Sequence, residues 1–187
     1  MRYNIIPAIR LTIITIIFFC VLYPLLILGI AKLAPAKGEG ETIAVNGKVV
    51  GYKLEGQSFT DDKYFNGRPS AAGYNAAGSS GSNKGPSNPE YLQQVKDRID
   101  SFLVHNPSVK KEQVPADLVT ASGSGLDPDI SVEAAKIQTS RIAGIRKVDE
   151  NKITALIDQQ KEKMLMGVAG NDKVNVLQLN IELDKLK

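Results

Sequence analysis

Residues 11–31 read LTIITIIFFCVLYPLLILGIA, twenty-one positions without a charge, and no other feature constrains the fold as strongly. At about 1.5 Å per residue a helix of that length matches a hydrocarbon core of about 30 Å. A buried helix of a soluble domain would carry a polar stripe, and only Thr12, Thr15 and Tyr23 offer one here. In lipid the backbone must satisfy its own hydrogen bonds, so a lone span is helical. The sequence therefore predicts one transmembrane helix over 11–33, its apolar run bounded by Leu11 and Ala31. Pro24 removes one internal bond and predicts a kink near the middle. A cleaved secretory signal is the competing reading, since Arg2 and Arg10 precede the run and Ala34-Pro35-Ala36 loosely resembles a cleavage site. The run exceeds the 7–15 apolar residues usual in such signals, which favours a retained anchor. Flanking charge leaves orientation open: Arg2, Arg10 and the amino terminus lie at one end, Lys32 and Lys37 at the other.

This divides the chain into a short tail (1–10), the span (11–33), a linker (34–41) and one domain (42–187). The last is long enough to bury roughly 70% of its unfolded surface. The net charge of +3 rests on the membrane flanks. Without the four basic and two acidic residues of positions 1–41, 19 basic residues face 18 acidic ones. That balance, with no tryptophan, argues against a nucleic-acid surface. The single cysteine, Cys20, lies within the span, so the domain has no thiol for a disulfide, a zinc site or a nucleophile. His105 is the only histidine; beside Asn106-Pro107 it reads as a solvated or helix-capping residue.

Along the domain, Ile43-Ala44-Val45, Asn46-Gly47 and Val49-Val50-Gly51-Tyr52 predict a hairpin. Residues 65–88 are rich in Gly, Ser and Asn and predict a loop. Asn88-Pro89 opens a helix carrying Leu92, Val95, Ile99, Phe102 and Leu103 at helical spacing. Residues 114–122 form a short apolar segment, followed by the tight sequence SGSGLDP at 122–128. Ser131 should cap a second helix running to about Lys147, and Asp149 a third with Ile153, Leu156, Ile157 and Leu165 as its stripe. From Leu177 the tail alternates apolar and polar to Leu183, as a half-buried strand does. The expected fold is α+β, with strands near both ends of the domain and helices between.

Two loops carry the remaining signals. Gly67, Gly73, Gly78, Gly81 and Gly85 interleave with Ser79, Ser80, Ser82 and Asn83, and such exposed backbone N–H groups can cradle an anion. The phosphate-loop pattern fails, because Lys84 follows Asn83 and precedes Gly85. In the second loop Ser122 or Ser124 invites a serine-hydrolase reading. The G-x-S-x-G elbow is absent, and His105 would be the sole base. Asp127 and Asp129 lack calcium-loop spacing, and no Asp-Lys-Thr-Gly-Thr phosphorylation motif occurs. The residues thus describe an anchored domain with two polar loops and without a catalytic constellation. Arg68, Asn75, Ser80, Asn83, Ser122, Ser124 and Asp127 are its candidate partner contacts. A free-standing anion- or nucleotide-binding protein and a serine hydrolase are the alternatives.

Several strings resemble the C subunit of the Kdp potassium-transporting ATPase: FNGRPSA (65–71), GYN (73–75), SGSN (80–83), GPSNP (85–89), VPADLVTASGSGLDP (114–128) and VNVL (174–177). Lys84 stands where an aliphatic residue is usual. The resemblance implies a bacterial inner-membrane protein with a cytoplasmic N-terminus and an extracytoplasmic domain. Its implied partners are a channel-like potassium-translocating subunit, an ATP-hydrolysing P-type subunit, a small lipid-like subunit and membrane lipid. The implied role is assembly, and catalytic chaperoning of ATP binding by the hydrolysing subunit, without a catalytic site, metal or covalently bound cofactor of its own. A bilayer would separate an extracytoplasmic domain from a cytoplasmic nucleotide, so any ATP involvement would run through the complex.

Overall fold

The computed structural model describes residues 4–34, 36–163 and 170–186. It divides into two compact units, 1–41 and 42–187. The first is a continuous helix, Ile5–Ala31, long and apolar enough to cross a membrane, with none of its most apolar stretch buried. Its parts are α1 (Ile5–Ile16), a π-helical segment (Ile17–Leu22) and α2 (Tyr23–Ala31). The wider turn is how the helix meets the proline: Tyr23 N–H bonds Phe18 O, five residues back, just before the position where Pro24 has no N–H to give.

The second unit begins with the expected hairpin, β1 (Thr42–Val45) and β2 (Lys48–Tyr52). Asn46 and Gly47 both take positive φ, 51° and 77°, the type I′ turn that suits strand twist. A bulge between Ile43 and Ala44 shifts the register: Thr42 pairs with Tyr52, Ile43 with Gly51, Ala44 with Val49 and Val45 with Lys48. Helix α3 (Pro89–His105) starts as its sequence dictates. Asn88 accepts a bond from Tyr91 N–H, and Pro89 sits at the first helical position.

A second antiparallel pair, β3 (Asp129–Ser131) with β4 (Lys173–Asn175), organises the core. Each strand runs straight into a helix whose cap is the strand's last residue. Ser131 Oγ accepts from Ala134 N–H to open α4 (Val132–Lys136), and Asn175 Oδ1 accepts from Gln178 N–H to open α7 (Val176–Lys185). Between them lie α5 (Thr139–Arg146) and α6 (Glu150–Gln160), the latter capped by Asp149. Ile130, Ile142, Ile153, Ile157, Leu179 and Leu183 are buried together around Phe65. Full burial of one such side chain contributes about 1.5–3 kcal/mol.

Two expectations need correcting. The tail is a short strand followed by helix, because Val176, Leu179, Asn180 and Leu183 are buried at helical spacing and Asn175 caps the turn. The alternating residues Leu177, Leu179, Ile181 and Leu183 contain the four-apart pairs 177/181 and 179/183, which a helix also stacks on one face, and the cap decides between the two periods. The helix expected from Ser131 to about Lys147 is two helices, α4 and α5, broken at Ile137 and Gln138, where the Gln138 side chain turns inward to bond Ala134 O. Helix α6 ends at Gln160, and the expected stripe residue Leu165 lies outside the described residues.

Candidate functional site

The two polar loops are distant in sequence and meet in space. Arg68 Nη1 lies 2.8 Å from Asp127 Oδ2. Ser70 Oγ donates to Gly125 O at 2.6 Å, Ser122 N–H to Pro69 O at 3.3 Å and Ser79 Oγ to Ser124 O at 2.9 Å. Gly125 has φ +68°, and a Cβ there would stand 2.8 Å from Ser80 O, so only glycine allows the loops to close this tightly.

Each loop is also braced from within. Ser70 Oγ accepts from the N–H groups of Ala72 and Tyr74 at 3.2 and 2.9 Å. Ser122 Oγ accepts from Gly125 N–H at 2.9 Å, and Ser124 Oγ from Leu126 N–H at 3.0 Å. The Tyr74 hydroxyl donates to Arg68 O, and burial, with Asp127 nearby, pushes its pKa up. The Ser70, Ser122 and Ser124 hydroxyls thus hold the backbone N–H groups of Ala72, Tyr74, Gly125 and Leu126. Ser122, buried, is the oxygen that closes a turn. His105 sits elsewhere, exposed in the last turn of α3 with its Nδ1 3.0 Å from the Asp62 carboxylate. It lines a cleft of about 470 Å³ with Phe59, Asp97, Arg98 and Ser101. Lys84 pairs with Glu90 at 2.7 Å.

The structure therefore sorts the candidate residues. Arg68, Ser122 and Asp127 tie the loops together, while Asn75, Ser80, Asn83 and Ser124 are exposed on them. A neighbouring cleft of about 470 Å³ holds Asp117, Asp127, Asp129 and Asp172, but each carboxylate is engaged, by Ser131 N–H, Arg68, Lys173 and Lys161 respectively. Among the described residues no group of three His, Cys, Asp or Glu side chains is placed to hold a metal.

Sequence reasoning missed what sets the first loop in place. Arg141 is buried and uses all five N–H groups. Nε donates to Asn106 Oδ1 (2.9 Å), Nη1 to Asp62 O and Tyr64 O (3.1 Å), and Nη2 to Asn66 Oδ1 (2.9 Å) and Gln138 Oε1 (2.8 Å). Burial pulls its pKa below the ordinary value, against the opposing influence of Asp62 and Asp61. Asn180 grips the backbone of Phe65 through two bonds, 2.8 and 3.0 Å, and Gln138 that of Asn66 through two more, 2.9 and 3.3 Å. Side-chain amides thus serve a segment that has no partner strand. Asn and Gln at otherwise apolar helix positions are the only sequence signal for this network.

A helix of membrane-spanning length joined to an α+β domain with a braced, polar two-loop surface defines a class: tethered single-helix proteins. The comparisons narrow it. The family model described as KdpC: K+-transporting ATPase, c chain, matches residues 5–185. A potassium-transporting ATPase KdpC subunit from Flavobacterium psychrophilum is 55% identical over 184 residues, covering 98% of this chain and 99% of that one. The corresponding protein of Flavobacterium johnsoniae is 56% identical with the same coverage, and that of Caldanaerobacter subterraneus 43% identical over 94% of this chain and 92% of its own. The chain belongs to the KdpC family of potassium-transporting ATPase subunits.

Proposed function

We propose that the helix Ile5–Ala31 spans the bacterial inner membrane with its N-terminus cytoplasmic, and that the domain 42–187 lies outside and docks through the paired loops onto the channel-like potassium-translocating subunit. The family supports membership of the ATP-driven importer; the geometry supports the docking face. The observation that carries this reading is a surface whose shape is fixed from within while Asn75, Ser80, Asn83 and Ser124 remain exposed. Rigid loops lose little conformational freedom when a partner binds, which favours association. In this reading the chain assists assembly with the P-type and small lipid-like subunits. It acts on ATP binding as a chaperone only indirectly, through the span or the partner subunits, because the bilayer separates the domain from a cytoplasmic nucleotide.

The test is reconstitution of the ATPase with Asn75→Asp, Ser80→Glu, Asn83→Asp and Ser124→Glu combined, and separately with Arg68→Glu or Asp127→Lys. Co-purification with the translocating subunit and the potassium affinity of the complex should both fall. An intact complex of unchanged affinity in all three variants contradicts docking by these loops.

A further inference from the structure

The register of the hairpin gives it two unlike faces. Ile43 pairs with Gly51 and Val45 with Lys48, and this side turns toward α7: Val45 and Val50 share a groove of about 510 Å³ with Leu177 and Ile181. The opposite side carries the pairs Thr42–Tyr52 and Ala44–Val49, and all four residues are exposed among the described residues. Val49 is 56% exposed and Tyr52 42%, while Leu54, just beyond β2, is 71% exposed. Strands normally turn such residues inward and polar ones out; here the outward face has two aliphatic residues, one tyrosine, one threonine and no charge.

We infer that this outer hairpin face rests on the bilayer surface, contacting phospholipid at headgroup depth. The inference rests on the reading of Ile5–Ala31 as a membrane span. Three observations converge on lipid as the occupant. Only ten residues, 32–41, join the apolar helix to β1, a reach of at most about 35 Å when fully extended, so the hairpin is the first folded element the tether delivers to the membrane. Tyrosine among small aliphatic side chains suits the interface, where an apolar ring body and a wet hydroxyl are both accommodated. The outer face itself carries no charge, since Lys48 pairs with Val45 on the opposite side, so contact with lipid desolvates no ionised group there. A protein partner fits less well: four side chains on an eleven-residue hairpin present much less than the roughly 800 Å² per partner of a standard interface. A tethered lipid contact needs no such area, because the span already holds the domain at the surface.

The experiment uses the full chain carrying Cys20→Ser and one introduced cysteine bearing an environment-sensitive fluorophore, in vesicles of phosphatidylethanolamine and phosphatidylglycerol. Positions are V49C and Y52C on the face, V104C on the exposed side of α3 as the aqueous reference, and L26C as the span reference. At V49C and Y52C we expect blue-shifted emission, loss of intensity to lipids quenching at headgroup depth, and protection from aqueous iodide, with the reverse at V104C. Face positions that behave like V104C overturn the inference. So does loss of lipid quenching at V49C and Y52C in the assembled ATPase with iodide protection retained, which would assign the face to a protein. L26C reports separately: failure of a bilayer-core quencher to reach it would overturn the span reading, and the lipid contact with it.

Discussion

Arg141 and Arg68 hold opposite ends of one segment, and they do so by different physics. Arg141 leaves 3% of its side chain exposed and distributes five N–H groups among oxygens of three sequence regions, 62–66, Asn106 and Gln138. Arg68 keeps 26% exposed, meets one carboxylate, and has an Nε with no bonding partner among the described residues. The buried arginine is a node on which Asn66, Asn106 and Gln138 depend for their own hydrogen bonds. The half-exposed one is a tie between two loops, beside water that can replace what it loses. Loss of the first arginine should therefore cost the domain far more than loss of the second, whose loops keep their other bonds.

Arg141→Met should break this contrast most forcefully if it is wrong. Removing the guanidinium strands a cluster of buried acceptors, a loss of about 3–5 kcal/mol, read as a lowered denaturant midpoint of the full chain in detergent. Asn180→Leu comes next, roughly 2–4 kcal/mol, because the N–H and C=O of Phe65 lose their partner in the core. Gly125→Ala should cost about 1–3 kcal/mol through its positive φ and the approach of Ser80 O, with proteolysis of the two loops accelerating more than global unfolding. Arg68→Gln should change stability by only about 1 kcal/mol or less, since the pair with Asp127 is partly solvated. If Arg68→Gln proved as damaging as Arg141→Met, the distinction between node and tie would fail.

The smallest effect concerns pH. The hydrogen bond to Asp129 holds the Lys173 pKa above its ordinary 10.5. A raised folded-state value means that the contribution is complete below the unfolded pKa and is lost as pH rises through the folded one. Stability should therefore decline above about pH 10.5, and Lys173→Met should flatten that decline while leaving the neutral-pH profile parallel to that of the parent chain.

Local signals in the sequence translated directly into structure. Asn46-Gly47 made its turn, Asn88-Pro89 and Ser131 made their caps, and the uncharged run made one long helix. The tail misled because Leu179 and Leu183, four residues apart, satisfy two periodicities, and only the Asn175 cap distinguishes them. The candidate loops were legible as polar and glycine-rich, but their mutual closure was not: the Arg68–Asp127 and Ser70–Gly125 bonds join positions more than fifty residues apart. The Arg141 node was equally hidden, since its acceptors come from positions 62 to 138 and no spacing rule connects them.

Amide hydrogen exchange on the full chain, free and in the assembled potassium-transporting ATPase, tests the docking face most directly. Paired, internally braced loops predict slow exchange at Tyr74, Gly125 and Leu126 already in the free chain, and added protection across 75–83 and 123–125 on assembly. Fast exchange at the braced amides in the free chain, or an unchanged pattern in those stretches once the partners are present, would contradict it.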